Sequence, residues 1–189
     1  PKLTWDVNVL ATYKLIDIAI KKKVKKFIFA SSGSVYGIKK EKKVTEELSL
    51  EPLSEYNKSK MIGERILLSF NNYIDLTILR PATVCGYSSS MRLDVAVNAL
   101  SFSALNEKKI KVFGGRQIRP NLTMKDMINA YKFFLKKKFL KGKKLEEVIF
   151  NLGFENLSIL NMAKRIQKKI KKGSQILIKS SNDPRSYRQ

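Results

Sequence analysis

Apolar positions recur along this chain in two alternating patterns, helical spacing and short unbroken runs. Residues 4–20, TWDVNVLATYKLIDIAI, carry Val7, Leu10, Leu15, Ile18 and Ala19 at helical spacing behind Thr4, a candidate N-cap. Lysines follow at 21–23, suiting the negative end of a helix dipole. VKKFIFASS (24–32) is a compact run rich in Phe and Ile between polar residues, which predicts a buried strand. After a loop through VTEELSLEP, residues 54–70 return to helical spacing with Met61, Ile62, Ile66 and Leu67. IDLTILRPATV (74–84) predicts a second buried strand. Helices over 91–106, 124–138 and 158–171 alternate with strands over 109–113, 148–152 and 175–179. Strands alternating with helices across mostly short links predict an α/β chain with a parallel sheet.

The composition fits a cored protein: 189 residues, 43% hydrophobic, with periodic apolar runs. No apolar run is long enough to cross a bilayer, and no charged-then-apolar leader opens the sequence. A cytoplasmic protein is expected. Cys85 is the only cysteine and histidine is absent, which excludes a disulfide framework, histidine triads and cysteine-rich or most zinc sites. No metal is expected. The 38 basic and 16 acidic residues give a net charge of +22, and 30 of the basic residues are Lys. These lysines gather at element ends (20–26, 136–144, 168–173) without interleaved stacking aromatics. That pattern describes a solvated face more than a nucleic-acid surface.

Candidate chemistry sits in two places. In SEYNKSK (54–60), Tyr56 and Lys60 are four apart and share one helix face. A free phenol ionises near about 10, and a nearby ammonium favours its phenolate. This is a route to a positioned base in a chain without histidine. Two surface neighbours would have the same spacing. The second place is SSGSVYG (31–37), small hydroxyl residues and glycine directly after a buried strand. Sites in open α/β sheets lie at that carboxyl edge, although Ser and Gly also favour ordinary turns.

FIFASSGSVYG, EPLSEYNKSKMIGE and ILRPATVCG, in that order and spacing, resemble the extended short-chain dehydrogenase/reductase family. More narrowly, they resemble its NAD-dependent nucleotide-sugar epimerases and dehydratases. NVLAT (8–12), RQIRPNLTMKDM (116–127), VIFNLGFENLSILNMAKRI (148–166) and NDPRSYR (182–188) extend the resemblance over nearly the whole chain. The resemblance implies the second half of a Rossmann-type parallel sheet with a smaller, interleaved substrate-binding region. It implies catalytic residues within 1–86 and nucleotide-sugar binding within 87–189. Tyr56 matches the family's base, and Lys60 the residue that binds the nicotinamide ribose and lowers the tyrosine's pKa. Ser32 matches the Ser/Thr that hydrogen-bonds the sugar hydroxyl. Pro81 and Val84 fall where the backbone passes the nicotinamide. Asn98 matches a substrate-side asparagine, and Arg119 the arginine on the nucleotide diphosphate. Asp183 and Arg185 match the nucleotide end more loosely. The implied cofactor is NAD, with NADP possible. The implied partners are a nucleotide-diphosphate sugar and a second copy of the chain, paired through helices 4–20 and 54–70, with neither nucleic acid nor membrane.

Departures from the family narrow the chemistry. Its 4,6-dehydratases follow the Ser/Thr with an Asp–Glu pair, where this chain has Gly33 and Ser34. Its 3,5-epimerising members use a cysteine there and a histidine. Thr123 stands where many members have histidine. A 4-epimerase is therefore expected, with a 4-ketosugar reductase or a non-catalytic binding module as alternatives. No G-x-x-G-x-x-G or G-x-G-x-x-G occurs, so a fragment without the glycine-rich cofactor turn is expected, inactive alone and weak in NAD binding.

Overall fold

A computed structural model describes residues 1–41, 43–137, 144, 147–170 and 173–181. The chain opens on one helical rod: α1 (Lys2–Trp5), a π-helical turn (Asp6–Leu10) and α2 (Ala11–Lys21), with helical dihedrals at both joints. Thr4 lies inside this rod and does not cap it; Pro1 stands at the N-cap. The apolar residues at helical spacing fall on two sides of the rod, Ala19 on the buried one. Thr12, Ile16 and Ala19 point into the core, whereas Val7, Leu10, Leu15 and Ile18 remain more than half exposed. The helix is therefore apolar on two sides, one in the core and one exposed.

β1 (Lys26–Ala30), β2 (Asp75–Pro81) and β6 (Ile149–Leu152) form a parallel sheet in the order β1-β2-β6. Its register sets Phe29 beside Ile78, and Ile78 beside Ile149. β2 is central and buried along nearly its whole length, with Leu76, Ile78 and Leu79 in the core and Asp75, Thr77 and Arg80 buried beside them. α2 and α3 (Glu55–Ser69) pack on this sheet around Ile16, Phe29, Leu67, Leu76 and Ile78.

The expected single strand over 74–84 is two strands. β2 ends at Pro81, whose ring removes a ladder donor, and Ala82 N–H gives the last bond to Leu152 O at 2.7 Å. The chain then enters a second sheet as β3 (Thr83–Cys85), parallel to β5 (Ile118–Thr123), which pairs antiparallel with β7 (Glu155–Ser158). Neither β5 nor β7 was predicted: IRPNLT holds a charge and a proline, and ENLS is only four residues long. β4 (Lys109–Phe113) pairs in parallel with β8 (Gln175–Lys179). α4 (Ala96–Asn106) and α6 (Ile159–Ile170) cover a second core of Leu100, Ala104, Ile110, Val112, Met162 and Ala163. α4 starts later than expected because residues 91–95 form a loop. α5 (Met124–Lys136) follows β5 directly. The α/β class with parallel strands holds, with one antiparallel pair added. Among the described residues, no helix is long and apolar enough to cross a membrane.

Gly37 ends the turn that follows β1. Its φ is +73°, and a Cβ there would sit 2.0 Å from the Glu51 carbonyl oxygen. Gly37→Ala is expected to destabilise the chain by roughly 1–3 kcal/mol or more, read as a lower denaturant midpoint at unchanged slope. An unchanged midpoint would mean that this turn is not fixed by close backbone approach.

Candidate active site

The site begins where β1 ends. Ser32 is extended, and its Oγ accepts the Ser34 N–H at 3.2 Å, capping a 3-10 turn over Gly33–Tyr36. Ser32 Oγ and Ser34 Oγ share a hydrogen bond of 2.7 Å, and Ser34 Oγ donates to Asn57 Oδ1 at 2.7 Å. Small hydroxyl residues suit this position because they turn the chain and present short polar groups to the same cavity.

α3 supplies the facing wall. Ser54 caps it by accepting the Asn57 N–H at 3.2 Å, so Tyr56 sits in the first turn. That end of the helix dipole favours a phenolate. Tyr56 is 46% exposed as a residue, yet desolvation of its hydroxyl end raises its pKa; its hydrogen bond with Ser32 and the positive charge of Arg92 oppose the rise. Lys60 Nζ donates to the Ala30 carbonyl at 2.9 Å, lies over the Phe29 ring, and is 5.8 Å from the Tyr56 ring centroid. Burial lowers the Lys60 pKa. The downward pull on Tyr56 expected from Lys60 thus comes instead from Ser32 and Arg92, because the ammonium is turned to the backbone of β1.

Ser32, Tyr56, Pro81, Val84, Asn98 and Arg119 together line a cavity of about 700 Å³. It lies at the carboxyl ends of β1 and β2. Asn98 is buried, and both ends of its amide are engaged: Oδ1 accepts Gly86 N–H at 3.0 Å, and Nδ2 donates to Arg92 O at 2.9 Å. It therefore ties the loop carrying Arg92 to α4. Arg119, on β5, also lines a neighbouring cavity of about 470 Å³ that shares Thr83 and Val95 with the first. Asp183 and Arg185 lie outside the described residues. Ser34, Asn57 and Arg92 were not anticipated as site residues. Asn57 adjoins Tyr56 and Ser34 lies in the SSGSVYG segment, but Arg92 lies in a loop without periodicity. Thr123 has a structural explanation, since it caps α5 by accepting the Asp126 N–H at 3.1 Å.

The arrangement makes a pH prediction. Arg92 favours the phenolate, so Arg92→Ala should move the ionisation of Tyr56 to higher pH. Phenolate absorbance, taken as the difference from a Tyr56→Phe variant, measures this. A curve that does not move would remove Arg92 from the electrostatics of Tyr56.

The sequence pattern of the NAD dependent epimerase/dehydratase family matches residues 1–153. A Bacillus subtilis (strain 168) protein named as an uncharacterized UDP-glucose epimerase, YtcB, is 32% identical over 163 residues, covering 85% of this chain and 49% of the relative. UDP-glucose 4-epimerase from Lactobacillus helveticus is 29% identical over 187 residues, covering 88% of this chain and 56% of the relative. The crystal structure of UDP-glucuronic acid 4-epimerase from Bacillus cereus, in complex with UDP-glucuronic acid and NAD, superposes with a TM-score of 0.79. It is 29% identical and covers 96% of this chain and 58% of that one. The chain thus spans about half the length of the curated relatives it matches. With its matched pattern running from the first helix through β6, the chain belongs to the NAD dependent epimerase/dehydratase family.

Proposed function

We propose that this chain is the catalytic and substrate-binding part of a nucleotide-sugar 4-epimerase. The observation that carries this reading is the single cavity at the carboxyl ends of β1 and β2 that Ser32 and Tyr56 wall together with Arg119. The nicotinamide end of NAD would be held against Tyr56, Pro81 and Val84 on this wall, with Lys60 one helical turn along α3 from Tyr56 for its ribose, because open α/β sheets take such ligands at this edge. NAD, when bound, supplies the hydride acceptor that makes oxidation at C4 reversible. Tyr56 as phenolate removes the proton of the sugar 4-hydroxyl, while Ser32 holds that oxygen by a hydrogen bond. The resulting 4-ketosugar turns over in the cavity. Tyr56 then returns the proton to the oxygen of the opposite epimer, so no net redox change occurs.

Arg119 stands between the two cavities, and its planar fork suits a diphosphate, which leaves the second cavity for the nucleoside. Residues 1–86 thus carry catalysis and 87–189 the nucleotide-sugar region. Gly33 and Ser34 follow Ser32, and no carboxylate side chain lines the described cavity, which argues against elimination of water. Arg92 acts on Tyr56 as a positive charge; its guanidinium is already paired with Asp94, so an acidic sugar would share it. UDP-glucuronic acid, bound by the Bacillus cereus enzyme, is one such sugar.

In the catalytically competent protein, Tyr56→Phe should keep nucleotide-sugar binding and lose turnover by about 10²–10⁴-fold. Turnover at the native rate would remove Tyr56 from the chemistry. Interconversion of C4 epimers without consumption of reduced cofactor is expected; stoichiometric loss of NADH or NADPH would make the protein a 4-ketosugar reductase instead.

A homodimer through the first helical rod and α3 belongs to the same proposal. Leu3, Val7, Leu10 and Ile18 form an apolar stripe on the rod, each more than half exposed in the single chain. Val7→Asp combined with Leu10→Asp should halve the mass seen by light scattering while leaving the far-ultraviolet circular dichroism intact. An unchanged mass would place any association elsewhere.

A further inference from the structure

Beneath the site lies a buried charge pair that the proposed chemistry does not use. Glu64 and Arg80 are 1% and 3% exposed. They meet through two parallel bonds, Arg80 Nε to Glu64 Oε1 at 3.0 Å and Arg80 Nη2 to Glu64 Oε2 at 2.7 Å. Ser31 Oγ donates to the same Oε1. Arg80 Nη1 donates to Tyr36 Oη at 2.7 Å, and Tyr36 Oη donates to Asn151 Oδ1 on β6 at 2.9 Å.

Each partner of Glu64 adjoins a residue of the site. Ser31 precedes Ser32, and Arg80 precedes Pro81. Tyr56, Lys60 and Glu64 follow one another at intervals of four, so they lie along one face of α3. That face meets the exit of β1 residue by residue: Lys60 holds the Ala30 carbonyl, Glu64 holds Ser31, and Tyr56 lines the same cavity as Ser32, whose hydroxyl lowers its pKa. A helix advances about 1.5 Å and turns about 100° per residue, so a small slip of α3 would carry the Tyr56 hydroxyl away from Ser32.

Stability alone is a weak reason for such a pair, because desolvating two charges offsets much of their attraction, and apolar replacements of similar volume are often as stable. Hydrocarbon contacts lack the directionality that fixes a helix along and around its axis. We propose that Glu64 is a positioning residue. It locks α3 to the ends of β1 and β2, and thereby sets the distance between the Tyr56 hydroxyl and Ser32. This rests on the proposed roles of Tyr56 and Ser32.

The test replaces the pair together, Glu64→Met with Arg80→Met, so that neither charge is left buried alone. Melting temperature, nucleotide-sugar dissociation constant, kcat and the phenolate titration of Tyr56 are then measured on the catalytically competent protein. A positioning role predicts at least a tenfold loss of kcat, a dissociation constant within about twofold of native, and a Tyr56 titration displaced to higher pH as its bond with Ser32 loosens. Native kcat with an undisplaced titration would overturn the proposal, whatever happens to the melting temperature. If the paired variant does not fold, Ser31→Ala leaves the ion pair intact and removes only its tie to the β1 exit. The same displacement, smaller in size, is expected there, and its absence counts against the proposal. The titration needs no turnover. A native protein without epimerase activity would thus defeat the proposed function, while a displaced or undisplaced Tyr56 titration would still decide the role of Glu64.

Discussion

The Glu64–Arg80 pair is the constraint on which the local architecture turns. One carboxylate meets the side chains of Ser31, after β1, and Arg80, near the end of β2. Arg80 passes the connection on to Tyr36 and through it to β6. Helix, both strand ends and the turn between Ser32 and Gly37 therefore share one polar anchor, set beside the apolar cluster of Ile16, Leu67 and Ile78. The apolar contacts supply the drive to bury these elements. The directional bonds choose their register. A carboxylate this deep is tolerable only because it accepts from a guanidinium and a hydroxyl, so its lone pairs are engaged.

The parts of the site legible in the sequence are those whose chemistry is local. Tyr56 and Lys60 fall on one helix face by spacing alone, and SSGSVYG follows a strand that its own Phe and Ile residues announce. Structure then brings Ser32 and Tyr56 together across 24 positions, which spacing does not encode. Resemblance to a family closed that gap. What stayed hidden has physical reasons. Arg92 reaches the site from an irregular loop, where Asn98 holds its backbone and Asp94 holds its guanidinium. Glu64 reads in the sequence as one more polar helix residue, since the partner that permits its burial lies 16 positions away.

The same limit applies to the fold. β2 was readable because it is central and apolar on both faces, and β4 and β8 because their residues are compact and mostly β-favouring. β5 is held by pairing on both sides, with β3 and β7, despite Arg119 and Pro120. Tertiary context overrides its weak local preference. The first rod shows another limit: its apolar spacing was correctly helical, but residues of both its buried and its exposed side share that spacing, since periodicity does not distinguish a core from an interface. The lysine excess fits its solvated reading at the end of that rod, where Lys21, Lys22, Lys23 and Lys25 are all exposed.

Electrostatics of the cavity connect these observations to the proposed chemistry. Its described lining carries Arg92 and Arg119 and no carboxylate side chain, although Asp94 pairs with Arg92 and offsets part of that positive charge. Such a lining favours an anionic substrate by simple attraction and favours the phenolate by the same sign. Burial acts in the opposite direction on the base, raising Tyr56 and leaving a hydroxyl that must be ionised by its neighbours. Lys60 contributes by geometry: its ammonium fixes the carbonyl of Ala30, two residues before Ser32, and lies over the Phe29 ring. With no histidine in the chain and no acid among the described lining residues, the proposed reaction relies on Tyr56 to move protons in both directions. Reversible proton exchange with a single hydroxyl requires no more than that, whereas elimination of water requires a second titrating group that these residues do not provide.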